Sequence, residues 1–134
     1  DKKTTVYSEG LPDSQTKVFI VDTVGLLTKI YSYADVDYVG GGFGKEGVHN
    51  VLEPAVFGIP LVIGPIYEKF EEAKDLVRLE ACAVADSEKD VKHLCDSLIS
   101  SSELRKKMGL KAENYIREKL GATKIILNYI YDKI

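Results

Sequence analysis

Short apolar runs alternate with longer amphipathic runs along the chain. Residues 18–21 (VFIV) are continuously β-branched and aromatic, which predicts a strand buried on both faces. Shorter runs of the same kind predict strands at 38–40, 61–63 and 83–85, and 4–7 is a weaker candidate. Helical spacing fills the gaps between them. Residues 26–34 place Leu27, Ile30, Tyr31 and Ala34 on one face, with Asp22 and Thr23 offering N-cap oxygens. A second helix over 50–57 stops at Gly58, and a third covers 70–81. Beyond Asp86 the pattern is helical only. Ser87 and Asp90 read as a capping box opening a helix to about Leu98. A charged amphipathic helix follows over 103–120 and is broken by Gly121. The final helix, 122–134, carries Ile125, Ile126, Leu127, Tyr129, Ile130, Tyr131 and Ile134 and has little polar face.

Strands alternating with helices at this spacing predict βαβ units. The expected fold class is α/β: a Rossmann-like parallel sheet with flanking helices, ending in C-terminal helices. With 134 residues the chain is expected to form a single domain, 1–134. Sheets of this kind bind ligands beyond the carboxyl ends of their strands.

Composition narrows the function classes. A net charge of −3 argues against nucleic-acid binding, which needs a surplus of Lys and Arg on some face. The longest apolar run, 54–67, is interrupted by Gly58, Pro60, Gly64 and Pro65 and falls short of a bilayer span. The two cysteines, Cys82 and Cys95, suit a reducing, cytosolic setting and are expected to be small buried apolar residues. With only two histidines, His49 and His93, a metal site is not expected. The first residue is not Met, and the chain is expected to be a piece of a longer protein.

The stretch over 38–65 carries the chemistry. Gly40, Gly41 and Gly42 remove Cβ atoms where a strand ends, which admits a ligand or another chain segment close to the backbone. The loop feeds a helix whose first turn holds His49, Asn50 and Glu53. A helix N-terminus offers free N–H groups and partial positive charge to a phosphate. Glu53 is placed to accept hydrogen bonds from ribose hydroxyls. Asn50-x-x-Glu53 is equally the spacing of a capping box that serves its own helix. The loop matches neither G-x-G-x-x-G nor a P-loop. His49 is also well placed to hydrogen-bond loop backbone, and His93 falls on a polar helix face. Tyr31, Tyr33 and Tyr38 read as core or interface residues. The charges over 103–119 read as a solvated face with i,i+4 pairs.

Four motifs in order resemble the C-terminal domain of 3-deoxy-D-manno-octulosonic acid (Kdo) transferases. They are Asp22-Thr23-Val24-Gly25-Leu26-Leu27; Val39-Gly40-Gly41; Gly47-Val48-His49-Asn50-Val51-Leu52-Glu53-Pro54; and Gly58-Ile59-Pro60 running on to Gly64-Pro65. Ser8-Glu9-Gly10 fits the segment preceding the first. The resemblance covers about residues 4–70; the later helices match in pattern only.

That family has the GT-B fold, two Rossmann-like domains around a cleft, and transfers Kdo from CMP-Kdo to a lipid A precursor at the cytoplasmic face of the bacterial inner membrane. The resemblance implies that this chain is a donor-binding domain whose catalytic base lies in a separate N-terminal domain, so that it is not catalytic alone. Membrane association and acceptor contact would run through that other region. By position, Glu53 would contact ribose, Asn50 the phosphate region, and Thr23 and Gly25 the nucleotide side. Gly41 and Gly42 would line the phosphate, with Lys45 and His49 beside them. No cofactor or metal is implied, and the leaving phosphate would be stabilised by backbone amides, a helix dipole and Lys45. Leu26, Glu46, Val48, Ile66 and Lys69 depart from the family's usual residues. In the resembled fold the final helix packs near the junction with the N-terminal domain, and without it self-association through this helix is expected. The alternatives are another GT-B enzyme using a UDP-sugar, or a non-enzymatic Rossmann-like phosphate-binding module.

Overall fold

The computed structural model describes residues 2–133; Ile134, the last apolar position of the final helix, lies outside them. The chain divides into two compact units, residues 1–33 and 34–134.

In the first unit, β1 (Thr4–Val6) pairs in parallel with β2 (Val18–Ile20). The connection between them is pinned by Asp13, whose Oδ1 accepts from the amides of Gln15 (3.0 Å) and Thr16 (3.1 Å). Its carboxylate also pairs with Lys3, and that bond first, with the Gln15 amide after it, holds its pKa down near 2. The expected two-faced burial of 18–21 does not occur: Val18, Phe19 and Ile20 are 40%, 37% and 47% exposed. Within this unit β2 has one partner strand, β1, and the aromatic contact on it is the Tyr7 ring set edge-on to Phe19. Helix α1 is a single turn, Leu27–Ile30, continued by a 3-10 turn over Tyr31–Tyr33 rather than running as α-helix to residue 34. Asp22 does not cap it. Its carboxylate instead takes the amide of Ser8 (3.1 Å) and the Ser8 hydroxyl, and Leu26 stands at the N-cap of α1, which has no side-chain cap.

The second unit holds a three-stranded parallel sheet in the order β3 (Asp37–Val39), β4 (Leu61–Ile63), β5 (Cys82–Val84). The predicted strands are present, divided between two sheets. Helix α2 (Leu52–Val56) lies in the β3–β4 crossover and α3 (Glu71–Arg78) in the β4–β5 crossover. Three helices follow: α4 (Glu88–Ser100), α5 (Ser102–Lys119) and α6 (Ala122–Tyr131).

The centre of the sheet is β4, whose three side chains are fully buried. The pleat sends alternate residues to opposite faces. Leu61 and Ile63 meet Val39, Val51, Ala55, Leu76, Ala112 and Tyr115 in one core. Val62 enters a second core with Ala85, Leu98 and Met108. Helix α5 supplies both, through Met108 on one side and Ala112 and Tyr115 on the other. It comes close because residue 109 is glycine: a Cβ there would lie 2.0 Å from the Gly58 carbonyl oxygen.

Helix starts follow the sequence where a cap is present. Ser87 Oγ accepts from the Asp90 amide (3.2 Å), the expected serine cap, and donates to the Asp90 carboxylate (2.7 Å), so Asp90 meets the Ser87 hydroxyl rather than the backbone amide that a full capping box would use. Ser101 Oγ accepts from the Leu104 amide to start α5. Of the charges on α5, Arg117 and Glu113 form the expected i,i+4 pair. Arg105 turns instead to the carbonyls of Leu98 and Ile99 at the end of α4. Gly121, with φ +111°, separates α5 from α6. Every described residue of α6 is exposed. Cys82 is buried and Cys95 half-buried, His93 is exposed, and Tyr31 is buried. Tyr33 and Tyr38 depart from a core role, at 88% and 41% exposed. Among the described residues no helix is long and apolar enough to cross a membrane.

Candidate functional site

Because β3, β4 and β5 are parallel neighbours, the loops that follow them emerge on one edge of the sheet. The loop after β3 is the glycine-rich segment 40–47, and the loop after β4 begins at Gly64-Pro65. These two loops are pressed together. A Cβ on Gly42 would lie 2.6 Å from the Gly64 nitrogen, and one on Gly64 would lie 2.5 Å from the Gly42 carbonyl carbon. Backbone hydrogen bonds stitch the same contact: Ile66 N–H donates to the Gly42 carbonyl (2.9 Å), and Val48 N–H to the Ile66 carbonyl (3.0 Å). The close approach that the glycines permit is therefore made at Gly42 by another segment of the chain.

Within the loop, Gly41 has φ +90°, a conformation that favours glycine. The His49 ring covers it: a Cβ on Gly41 would come 2.7 Å from His49 Cδ2. The His49 amide donates to the Gly40 carbonyl (2.9 Å), so His49 closes the loop through its backbone, while its side chain remains exposed. Gly47, at φ +89°, backs onto the Phe70 ring. Sequence reasoning did not single out Phe70. The signal was a glycine-dense segment followed by an aromatic after Gly-Pro, but it is weak without the fold. Lys45 is exposed and has no hydrogen-bond or ion-pair partner among the described residues.

The loop delivers the chain to α2, which is a five-residue helix rather than the eight-residue one expected over 50–57. Pro54 occupies its first turn, where a missing N–H costs least. Asn50 and Glu53 form a closed arrangement. Asn50 Oδ1 accepts from the Leu52 amide (3.0 Å), and Asn50 Nδ2 donates to Glu53 Oε1 (2.9 Å). This differs from a capping box, in which the glutamate would reach the N-cap amide. The amides of Asn50, Val51 and Glu53 have no acceptor among the described residues. Beside them lies a cavity of about 320 Å³, lined by His49, Asn50, Leu52, Phe70 and Glu72 among others.

The structure thus brings Gly41, Gly42, His49, Asn50 and Glu53 onto one loop-and-helix segment of the 34–134 unit, with Lys45 on the same loop. Thr23 and Gly25 lie in the 1–33 unit, both exposed, with Gly25 at φ +88°.

No family model matches the chain. Individual proteins do. It is 30% identical to a 3-deoxy-D-manno-octulosonic acid transferase of Haemophilus influenzae over 122 residues, 90% of this chain and 29% of that protein. It is 32% identical to the enzyme of the same name from Aquifex aeolicus over 102 residues, 76% of this chain and 27% of that protein. The chain therefore spans less than a third of these relatives. Among solved structures, the C-terminal CMP-Kdo binding domain of WaaA from Acinetobacter baumannii matches with a TM-score of 0.78 and 26% identity, over 85% of this chain and 61% of that one. Sequence and fold agree: the chain is a homologue of the C-terminal domain of the 3-deoxy-D-manno-octulosonic acid transferases.

Proposed function

We propose that the chain binds the cytidine monophosphate part of CMP-Kdo and serves as the donor-binding part of a GT-B glycosyltransferase. The observation that carries this reading is its likeness in both sequence and fold to the CMP-Kdo binding domain of the Acinetobacter baumannii protein. The whole enzyme would transfer Kdo to a lipid A precursor at the cytoplasmic face of the inner membrane. The base that deprotonates the acceptor hydroxyl would come from the other domain.

The proposal for this chain is confined to the 34–134 unit. Glu53, half-buried at the start of α2, is the ribose ligand: a carboxylate accepts from both hydroxyls of a cis-diol. The free amides at the start of α2 and the Lys45 ammonium, near the His49-covered loop, take the phosphate. A monophosphate leaving group asks these groups to stabilise less charge than a diphosphate would, and the reading calls on no metal.

Calorimetric titration of the chain with CMP, UMP and UDP tests the reading. Saturable binding that prefers CMP, weakened roughly tenfold or more in Glu53→Ala, is the expected result. A preference for UDP would assign the chain to a UDP-sugar enzyme instead.

A further inference from the structure

Asn50 has two polar ends, and the structure engages both. The Leu52 amide can only donate, so the Asn50 atom facing it must be the carbonyl oxygen (3.0 Å). That contact fixes which way round the side-chain amide sits. Its NH₂ group then faces Glu53, where it donates to Oε1 at 2.9 Å. Oε1 is held by that bond, and Oε2 is left without a partner among the described residues.

We infer that Asn50 is a positioning residue for Glu53, orienting the carboxylate so that Oε2 meets the donor's ribose hydroxyls. The inference rests on the donor-binding reading above. It assigns Asn50 a chemistry different from the one its place in the motif implies. A side chain with its oxygen spent on a backbone amide and its NH₂ spent on a carboxylate has one N–H left over. An isolated glutamate on the surface samples several rotamers, and fixing one in advance removes that ordering cost from binding.

The test measures binding of CMP and of its 2′,3′-dideoxy analogue to the native chain and to N50A, N50D, E53A and N50A/E53A. Dideoxy-CMP keeps the base and phosphate and lacks the hydroxyls that Glu53 holds. Native chain is expected to bind CMP roughly tenfold more tightly than the analogue, with E53A abolishing that difference. N50A is expected to weaken CMP by several-fold and leave the analogue unchanged, and N50A/E53A to bind CMP no more weakly than E53A alone. N50D keeps an oxygen to cap Leu52 and sets a second carboxylate against Glu53, so it separates the cap from the orientation. It is expected to lose CMP affinity with the fold intact. The inference is overturned if N50A weakens both nucleotides alike, if its effect adds to that of E53A, or if N50D binds CMP as native does. If E53A changes neither nucleotide, the donor-site reading fails first and takes the role of Asn50 with it.

Discussion

Gly42 and Gly64 set the distance between the loops that follow β3 and β4, because each stands where the other's Cβ would be. Gly42→Ala should therefore push the loops apart and cost about 1–3 kcal/mol, read as a lower urea midpoint. An unchanged midpoint would show that the contact is looser than the backbone geometry implies. Cys82 gives a second test at this scale. Its burial, aided by the negative charge of Asp37, pushes the thiol up to about 12. At pH 8 it stays protonated, so an alkylating reagent should label Cys95 well before Cys82, as mass mapping would report. Single residues were legible to different depths. Glu53, Asn50 and His49 were visible as chemistry-bearing types in one segment. What each touches was not, because Asn50-x-x-Glu53 spells both a cap and a ligand pair. Only the fold shows a third arrangement, with the side chains bonded to each other.

Elements were most legible where local chemistry alone decides them. Ser87 and Ser101 accept N3-type amides as helix caps must, and Ser87→Ala should cost about 1 kcal/mol by denaturant unfolding. The strands over 61–63 and 83–85 were readable because parallel strands covered on both sides are apolar throughout. The same rule misled at residues 18–21. An apolar β-branched run states what a strand can bury, and burial depends on layers that the run itself does not encode. Helix α6 is the matching case. Ile125, Tyr129 and Tyr131 are 70%, 65% and 71% exposed, an apolar surface that favours association. Light scattering should show the mass rising with concentration, and a constant monomer mass would contradict this.

At the scale of the molecule, the cores have a definite address. Every residue of both clusters falls between Val36 and Ile116, inside the 34–134 unit. Residues 34–134 alone should therefore unfold cooperatively on heating, and a featureless melt would contradict the division into units. That division was not legible in the sequence, since no Pro- or Gly-rich linker marks residues 33–34. The α/β class was, from the alternation of runs. The central claim is that the edge built from the β3 loop and the start of α2 holds a cytidine nucleotide. The most direct measurement is a CMP titration of the isotope-labelled chain followed by NMR. The account predicts saturable shifts concentrated at the amides of Gly41, Lys45, Asn50, Val51 and Glu53. Shifts centred instead on the cavity of about 210 Å³ beside Arg105 and Lys106, with the 41–53 amides unmoved, would contradict it.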